Sequence, residues 1–492
     1  MSARPTLLDE VRGLLASGAA VYTGTPHAAR VEAEQARLDE PLRVAIAGKV
    51  KAGKSTLLNA LVGEELAPTD AGECTKIVTW YRDGITYRVV LHPRDGEPRQ
   101  IPFSREGGAI DIDLGGVPPD TVDRLEIEWP SSSLRTITLI DTPGIASLSA
   151  DVSARSQAFL APGEDHVTPA DAVLYLMRHL HTTDISFLEA FHDQEVAQAT
   201  PVNAIGVLSR ADEIGVGRLD SMASASRIAS RYKSDPKVRR LCQTVVPVAG
   251  LLAQSGTTLR EAEFKALQSI GTAHADEAER LFLSTDRFVQ TPTSIGLTSM
   301  EREHLLDRFG LFGVRLAAAL IRQGAVTTSN QLAHELVLRS GLVELREVLL
   351  TQFAARRDVL KARSALLALE SLVHEAAVPG SEHLASELER VAAGAHEFAE
   401  VRLLNALRAG AVKGVKAAES EEMERLLGAD GSAPTARLGL DAGASGGELR
   451  SALQHAIARW QRRAENPLSS REAADASRVL IRTCEGLLVD LG

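Results

Sequence analysis

The 492 residues, 44% apolar and 24% charged, allow two or three packed units of ordinary soluble composition, and 4% aromatic content favours helix packing over β-sandwiches. A formal net charge of −11 weighs against a nucleic-acid binder that lacks a concentrated basic patch. Cys74, Cys242 and Cys484 stand far apart without metal-ligand spacing, which suits a reducing cytosol. The start, MSARPTLLDEVRG, does not read as a secretion signal. No run approaches the ~18 apolar residues of a membrane span, so any membrane contact is expected to be peripheral.

Residues 1–40 read as two helices. Leu7, Leu8, Val11, Leu14 and Leu15 recur at helical spacing, and the more polar HAARVEAEQARLDE follows, ended by Pro41. From 41 to 257 the pattern changes to short β-branched runs separated by helical stretches: LRVAIAG, TKIVTWY, ITYRVVLH, LEIEW, TITLID, DAVLYLM, VNAIGVL and TVVPVAG. That alternation predicts an α/β unit with a mostly parallel sheet. Residues 93–124, rich in Gly, Pro and Asp, read as loops with an edge hairpin.

Residues 258–492 are helical by period. Over 342–376, Leu345, Leu349, Phe353, Leu360 and Leu367 share a stripe with no Pro or Gly, predicting one helix on the order of 50 Å long. Leu449, Leu453, Ile457 and Trp460 form a further stripe, and Ala473, Leu480, Cys484, Leu487 and Leu491 another. The first and last helices carry matching apolar stripes and are expected to pack together in a bundle beneath the α/β unit.

The stretch GKVKAGKST fits the phosphate-loop pattern, and its context supports the match: it follows the run LRVAIA and opens the helical STLLNALVG. Gly48, Lys49, Lys51, Ala52, Gly53, Lys54, Ser55 and Thr56 would surround the phosphates of a nucleotide. Loop N–H groups and the helix N-terminus face them, Lys54 bridges the β- and γ-phosphates, and Ser55 ligates Mg²⁺. Asp141-Thr142-Pro143-Gly144 ends the run TITLI. There Asp141 would hold Mg²⁺ through a water, and the Gly144 N–H would sense the γ-phosphate. Between the two, Thr75 in ECTKIVT is positioned as a switch hydroxyl on Mg²⁺.

Ser209-Arg210-Ala211-Asp212 follows VNAIGVL and approximates the base-reading pattern Asn/Thr-Lys-x-Asp. An Asp212 carboxylate accepting from guanine N1–H and N2–H₂ would reject adenine, with Arg210 stacked where lysine usually lies. Val248, Ala249 and Gly250 are placed to close over the base. These elements, in this order, predict a GTPase that turns GTP into GDP and phosphate. Ile145 stands where small signalling GTPases carry the glutamine that orients the attacking water, so that water must be positioned by other means.

An N-terminal helix, a GTPase unit and a long helical region together resemble the bacterial dynamin-like proteins of the dynamin superfamily. EPLRVAIAGKVKAGKSTLLNALVGEELAPTDAGECTKIVTW, SRADEIGVGR, LLDRFGLFGVR and ARLGLDAG carry the resemblance. It implies a neck and trunk bundle with a membrane-binding tip, and GTP-driven pairing of GTPase units. It also implies remodelling, fusion or maintenance of a membrane from its inner, cytoplasmic face, often with a second dynamin-like partner; nucleic acid is not expected. Where dynamins commonly place a loop serine that helps hold a monovalent cation, this chain has Lys51. Its ammonium either replaces that cation in the transition state or only adds phosphate affinity.

For the membrane contact, LLNALRAGAVKGVKA places Arg408, Lys413 and Lys416 beside apolar residues, a pattern that can suit anionic lipid and is more often a solvated bundle face. The turn AAVPGSEHL at the end of the long stripe is a second candidate, and Phe309-Gly310-Leu311-Phe312 reads better as a core joint. Two alternatives to a mechanochemical GTPase stay open: a weakly active GTP-binding partner of another dynamin-like protein, and a GTP-regulated RNA or ribosome assembly factor.

Overall fold

The computed structural model describes residues 6–67, 77–106, 109–143, 169–178, 203–215, 217–408 and 410–491. Two helices, α1 (Leu7–Val21) and α2 (Ala28–Asp39), precede β1 (Leu42–Gly48) and α3 (Lys54–Val62). The strands that follow are β2 (Val78–Asp83), β3 (Arg88–Pro93), β4 (Arg99–Ile101), β5 (Phe103–Glu106), β6 (Ala109–Ile112) and β7 (Val122–Trp129). Then come β8 (Ile137–Asp141), β9 (Ala172–Met177), β10 (Ala204–Ser209) and β11 (Val245–Val248).

Among the described residues, nine strands form one sheet in the order β11-β10-β9-β1-β8-β2-β7-β3-β4, while β5 and β6 make a separate hairpin in the 93–124 insert. The neighbouring pairs from β11 through β8 are all parallel. Beyond them β2 runs antiparallel to β8, and β3 antiparallel to β7. The central strands are near-continuous apolar runs because both faces are covered. Leu42, Val44 and Ile46 pack with Leu57 and Leu61 of α3, and Ala45, Ala47, Val173 and Tyr175 pack with Ala225 and Val238 on the other side.

After β11 the described chain is helical. Helix Ser299–Arg322 kinks at Gly310 (φ 63°), where Phe309 and Phe312 are buried, as FGLF suggested for a core joint. The long stripe over 342–376 is not one helix. Helix Leu342–Val348 passes into a π-turn at Leu349–Phe353 and a 3₁₀ turn at Ala354–Arg356 before helix Arg357–Glu375 resumes. The cause is tertiary: the buried Arg356 guanidinium donates to the carbonyls of Leu427 and Gly428, and Gln352 Nε2 to Ala429 O at 3.3 Å. A π-turn inserts the extra residue that keeps Phe353 and Leu360 in the core.

The expected pairing of first and last helices is also corrected. Val11, Leu14 and Leu15 of α1 pack on Ala362, Ala365, Leu366 and Leu369 and on Leu384 and Leu388, and Tyr22 Oη donates to Ala376 O at 3.0 Å. Helix Arg471–Asp490 instead lies against helix Gly446–Glu465, adding Ala476, Leu480 and Cys484 to Leu453 and Trp460. Matching stripes specify burial but no partner, and a short connection after Glu465 makes those two helices antiparallel neighbours.

Three parts of the chain meet at one buried carboxylate. Asp171, just before β9, sits 2.7 Å from Arg37 Nη2 of α2 and 3.0 Å from Lys361 Nζ of helix Arg357–Glu375. It also accepts from the Arg43 N–H at 2.9 Å. Burial alone would push this carboxyl up, but the Arg37 and Lys361 charges and the Arg43 N–H hold it at about 2. Arg357 adds donors to the carbonyls of Leu38 and Glu40, at 3.0 Å each, tying α2 to the same helix.

Candidate nucleotide site

Strands β1, β8, β10 and β11 bring their C-terminal ends to one edge of the sheet, where ligands bind in open α/β folds. That edge gathers the phosphate loop, Asp141, the segment from Ser209 to Asp212, and Val248 to Gly250. In the loop, Gly48 pairs with Leu176 of β9, and a Cβ on Gly48 would stand 2.6 Å from the Leu176 carbonyl. Only glycine fits there. Lys51 is left-handed (φ 60°), and Gly53 (φ 93°) caps α3, which begins at Lys54.

Lys54 curls back over the loop, its Nζ donating to Gly48 O at 3.3 Å and to Lys49 O at 3.5 Å. Burial pulls its pKa down, against the pull of Asp141. Ser55 Oγ donates to Asp141 Oδ2 at 3.0 Å, whereas the buried Oδ1 has no hydrogen-bond partner among the described residues. Burial raises the Asp141 carboxyl, an effect that Lys54 and Ser55 only partly offset. A buried carboxylate oxygen lacking a donor, beside a hydroxyl, is a hard-oxygen arrangement that fits Mg²⁺. Thr142 Oγ1 donates to Ile46 O at 2.9 Å and pins the strand end beside it.

At the other end, Ala52, Gly53 and Thr56 share one cavity of about 100 Å³ with Ser209, Arg210 and Asp212. Val248, Gly250 and Leu251 also line it, while Ala249 is buried behind, its N–H bonded to Ser340 O at 2.9 Å. Ser209 Oγ donates to Met177 O at 3.3 Å, fixing the turn. Arg210 is left-handed (φ 52°), pairs with Glu213 at 2.6 Å and lines the cavity. Asp212 is 7% exposed, and burial pushes its carboxyl up to about 6. The Gly310 kink lies beside it, and a Cβ there would stand 3.7 Å from Asp212 Oδ2, an ordinary contact.

Thr75, Gly144 and Ile145 lie outside the described residues. One loop neighbour escaped the sequence reading: Arg178, directly after β9, donates from Nη2 to Lys51 O at 3.2 Å. The available signal was its place, a cation closing an apolar run at the same sheet edge as Arg210 does after β10. The basic segment is corrected too. Helix His396–Arg408 ends at Arg408, which is buried and paired with Glu424 at 3.3 Å rather than facing a lipid. Lys413 and Lys416 are exposed in the connection that follows, with Lys413 O accepting from Ser470 Oγ at 2.7 Å. No helix among the described residues is long and apolar enough to cross a membrane.

Residues 44–211 match the model of the dynamin family, and the chain belongs to that family of GTPases, whose members bind guanine nucleotide. It is 41% identical over 489 residues to the isoniazid-induced protein IniC of Mycobacterium tuberculosis, covering 98% of each chain. It also shares 33% identity over 148 residues with the bacterial dynamin-like protein of Nostoc punctiforme, covering 28% of this chain and 20% of that one. With the isoniazid-induced protein IniA of Mycobacterium tuberculosis the identity is 26% over 245 residues, covering 47% and 34%.

Proposed function

We propose that residues 41–257 bind GTP and hydrolyse it to GDP and phosphate, and that residues 1–40 and 258–492 form the helical part moved by that cycle. The observation that carries this reading is the single cavity joining the phosphate loop to Asp212. The loop N–H groups and Lys54 hold the phosphates, Asp212 accepts from the guanine edge, and the Arg210 stem, Val248 and Gly250 sandwich the base. Ser55 and Asp141 would hold Mg²⁺, with Thr75 a further hydroxyl for it and the Gly144 N–H on the γ-phosphate. When bound, that ion would supply positive charge that offsets the charge of the phosphates.

Lys51 stands at the loop's exposed corner, where its ammonium would meet charge developing between the β- and γ-phosphates, in the role a monovalent cation fills elsewhere in the family. Hydrolysis is coupled to pairing of GTPase units, with a second copy or a second dynamin-like protein, and to remodelling of an anionic membrane from its cytoplasmic face. Lys413 and Lys416 are the lipid contacts in this reading. Asp171 supports the coupling, because one carboxylate fastens the sheet to both helical segments. The test is GTP turnover across a range of protein concentrations, with and without anionic liposomes. A specific rate that rises with concentration supports pairing. A chain that turns over no GTP at any concentration sinks the proposal.

A further inference from the structure

We infer that Arg178 is a positioning residue for the phosphate loop, setting where the Lys51 side chain stands relative to the nucleotide; this rests on the GTPase reading above. Lys51 and Arg210 are the two non-glycine residues with positive φ among those described, and both line the nucleotide edge. A left-handed lysine is held there by its surroundings, because the β-carbon makes that conformation unfavourable by itself. Among the described residues, the contact on its carbonyl is the Arg178 guanidinium, at 3.2 Å.

The geometry behind that contact is rigid. Strand β9 lies beside β1, with Gly48 in register with Leu176 and its backbone too close to the Leu176 carbonyl for any side chain. The start of the loop is therefore locked to the end of β9. Two residues after Leu176, Arg178 reaches back across the loop to its fourth residue. Locking and reach together make the loop's outer corner follow the strand. Arg178 is exposed, so its own charge also lies at the mouth of the site. A direct contact with phosphate is the competing role that the test must separate.

The test is a double-mutant cycle on the full chain, read as single-turnover GTP hydrolysis and as binding of a fluorescent GTP analogue. Arg178→Ala is expected to lower the hydrolysis rate by about 10- to 100-fold, the range that small misplacements cost, while the dissociation constant stays within about threefold. Arg178→Lys, which keeps a donor, recovers part of the rate. In a Lys51→Ala background, Arg178→Ala then changes the rate by less than about twofold, since the side chain it positions is gone. The inference is overturned if Arg178→Ala is as costly without Lys51 as with it, or if its effect falls on affinity. A wild-type chain that does not hydrolyse GTP instead removes the underlying GTPase reading, and the inference with it.

Discussion

Replacing Asp171 by asparagine keeps the shape of the buried joint and removes its one negative charge. In the folded chain this carboxylate is fully buried and meets three donors: Arg37 Nη2 at 2.7 Å, the Arg43 N–H at 2.9 Å and Lys361 Nζ at 3.0 Å. An asparagine there would keep one acceptor, turn an NH₂ toward a cation, leave Lys361 buried without a counter-charge and leave Arg37 with only Glu34, at 3.4 Å. Breaking a buried pair in this way costs about 3–5 kcal/mol. At about 2–4 °C per kcal/mol, the melting temperature should fall on the order of 10 °C.

The acid side gives an independent reading of the same group. The folded-state pKa is depressed to about 2 from 3.8, so the carboxylate contributes stability above pH 4, lost as the pH falls through 2. That difference is worth about 2–3 kcal/mol. The wild type should lose it over this window, and Asp171→Asn should not. Replacing the set together, as Arg37→Met/Asp171→Leu/Lys361→Met, should restore part of the loss, because no buried cation is left behind; Glu34, 22% exposed, turns to solvent and the Arg43 N–H loses its acceptor. Thermal unfolding at pH 7 and from pH 4 to 2, with proteolysis of α1 and α2 as a local probe, measures all three. A melting temperature unchanged in Asp171→Asn would refute the reasoning.

Three further outcomes are expected. Lys51→Ala should lower kcat about 10²- to 10³-fold with little change in GTP affinity; loss of affinity alone, or marked stimulation of the wild type by K⁺, would count against a catalytic ammonium. Burial pushes the Asp212 carboxyl up to about 6, and only its ionised form accepts from guanine, so GTP affinity should be nearly full by about pH 7, about halved at pH 6, and fall towards tenfold per pH unit well below that; a flat binding profile from pH 7 to 5 would contradict this. Lys413→Glu/Lys416→Glu should weaken co-sedimentation with anionic liposomes about 30-fold or more, at about 1 kcal/mol per lysine lost; unchanged binding removes that segment as the lipid contact.

The sheet and the phosphate loop were legible because their signals are local. The run LRVAIA, the obligatory Gly48 against Leu176 and the strand-ending Asp141 constrain the backbone within a few residues of themselves. What was not legible depends on distant partners. The break at 349–356 is set by carbonyls at 427–429, some seventy residues away, and hydrophobic period carries no trace of them. Arg408 was a candidate lipid contact because its sequence neighbours are basic and apolar, while its partner Glu424 lies in the next helix. The last helix carried the expected stripe but not the expected neighbour. Arg178 and the Arg37–Asp171–Lys361 joint belong to no motif, and only the register of β9 places one at each of its ends.

That the cavity between the phosphate loop and Asp212 reads guanine is tested most directly by exchanging the base and the residue together. Dissociation constants for GTP, ATP and XTP would be measured by calorimetry on the wild type and on Asp212→Asn. The wild type should prefer GTP, and Asp212→Asn should lose about 10³-fold in GTP affinity, because its amide N–H₂ faces the guanine donors. XTP, whose C2 carbonyl accepts from that amide, should bind the variant better than GTP does. Equal binding of GTP by both proteins, or ATP bound as tightly as GTP by the wild type, would contradict a guanine site at Asp212.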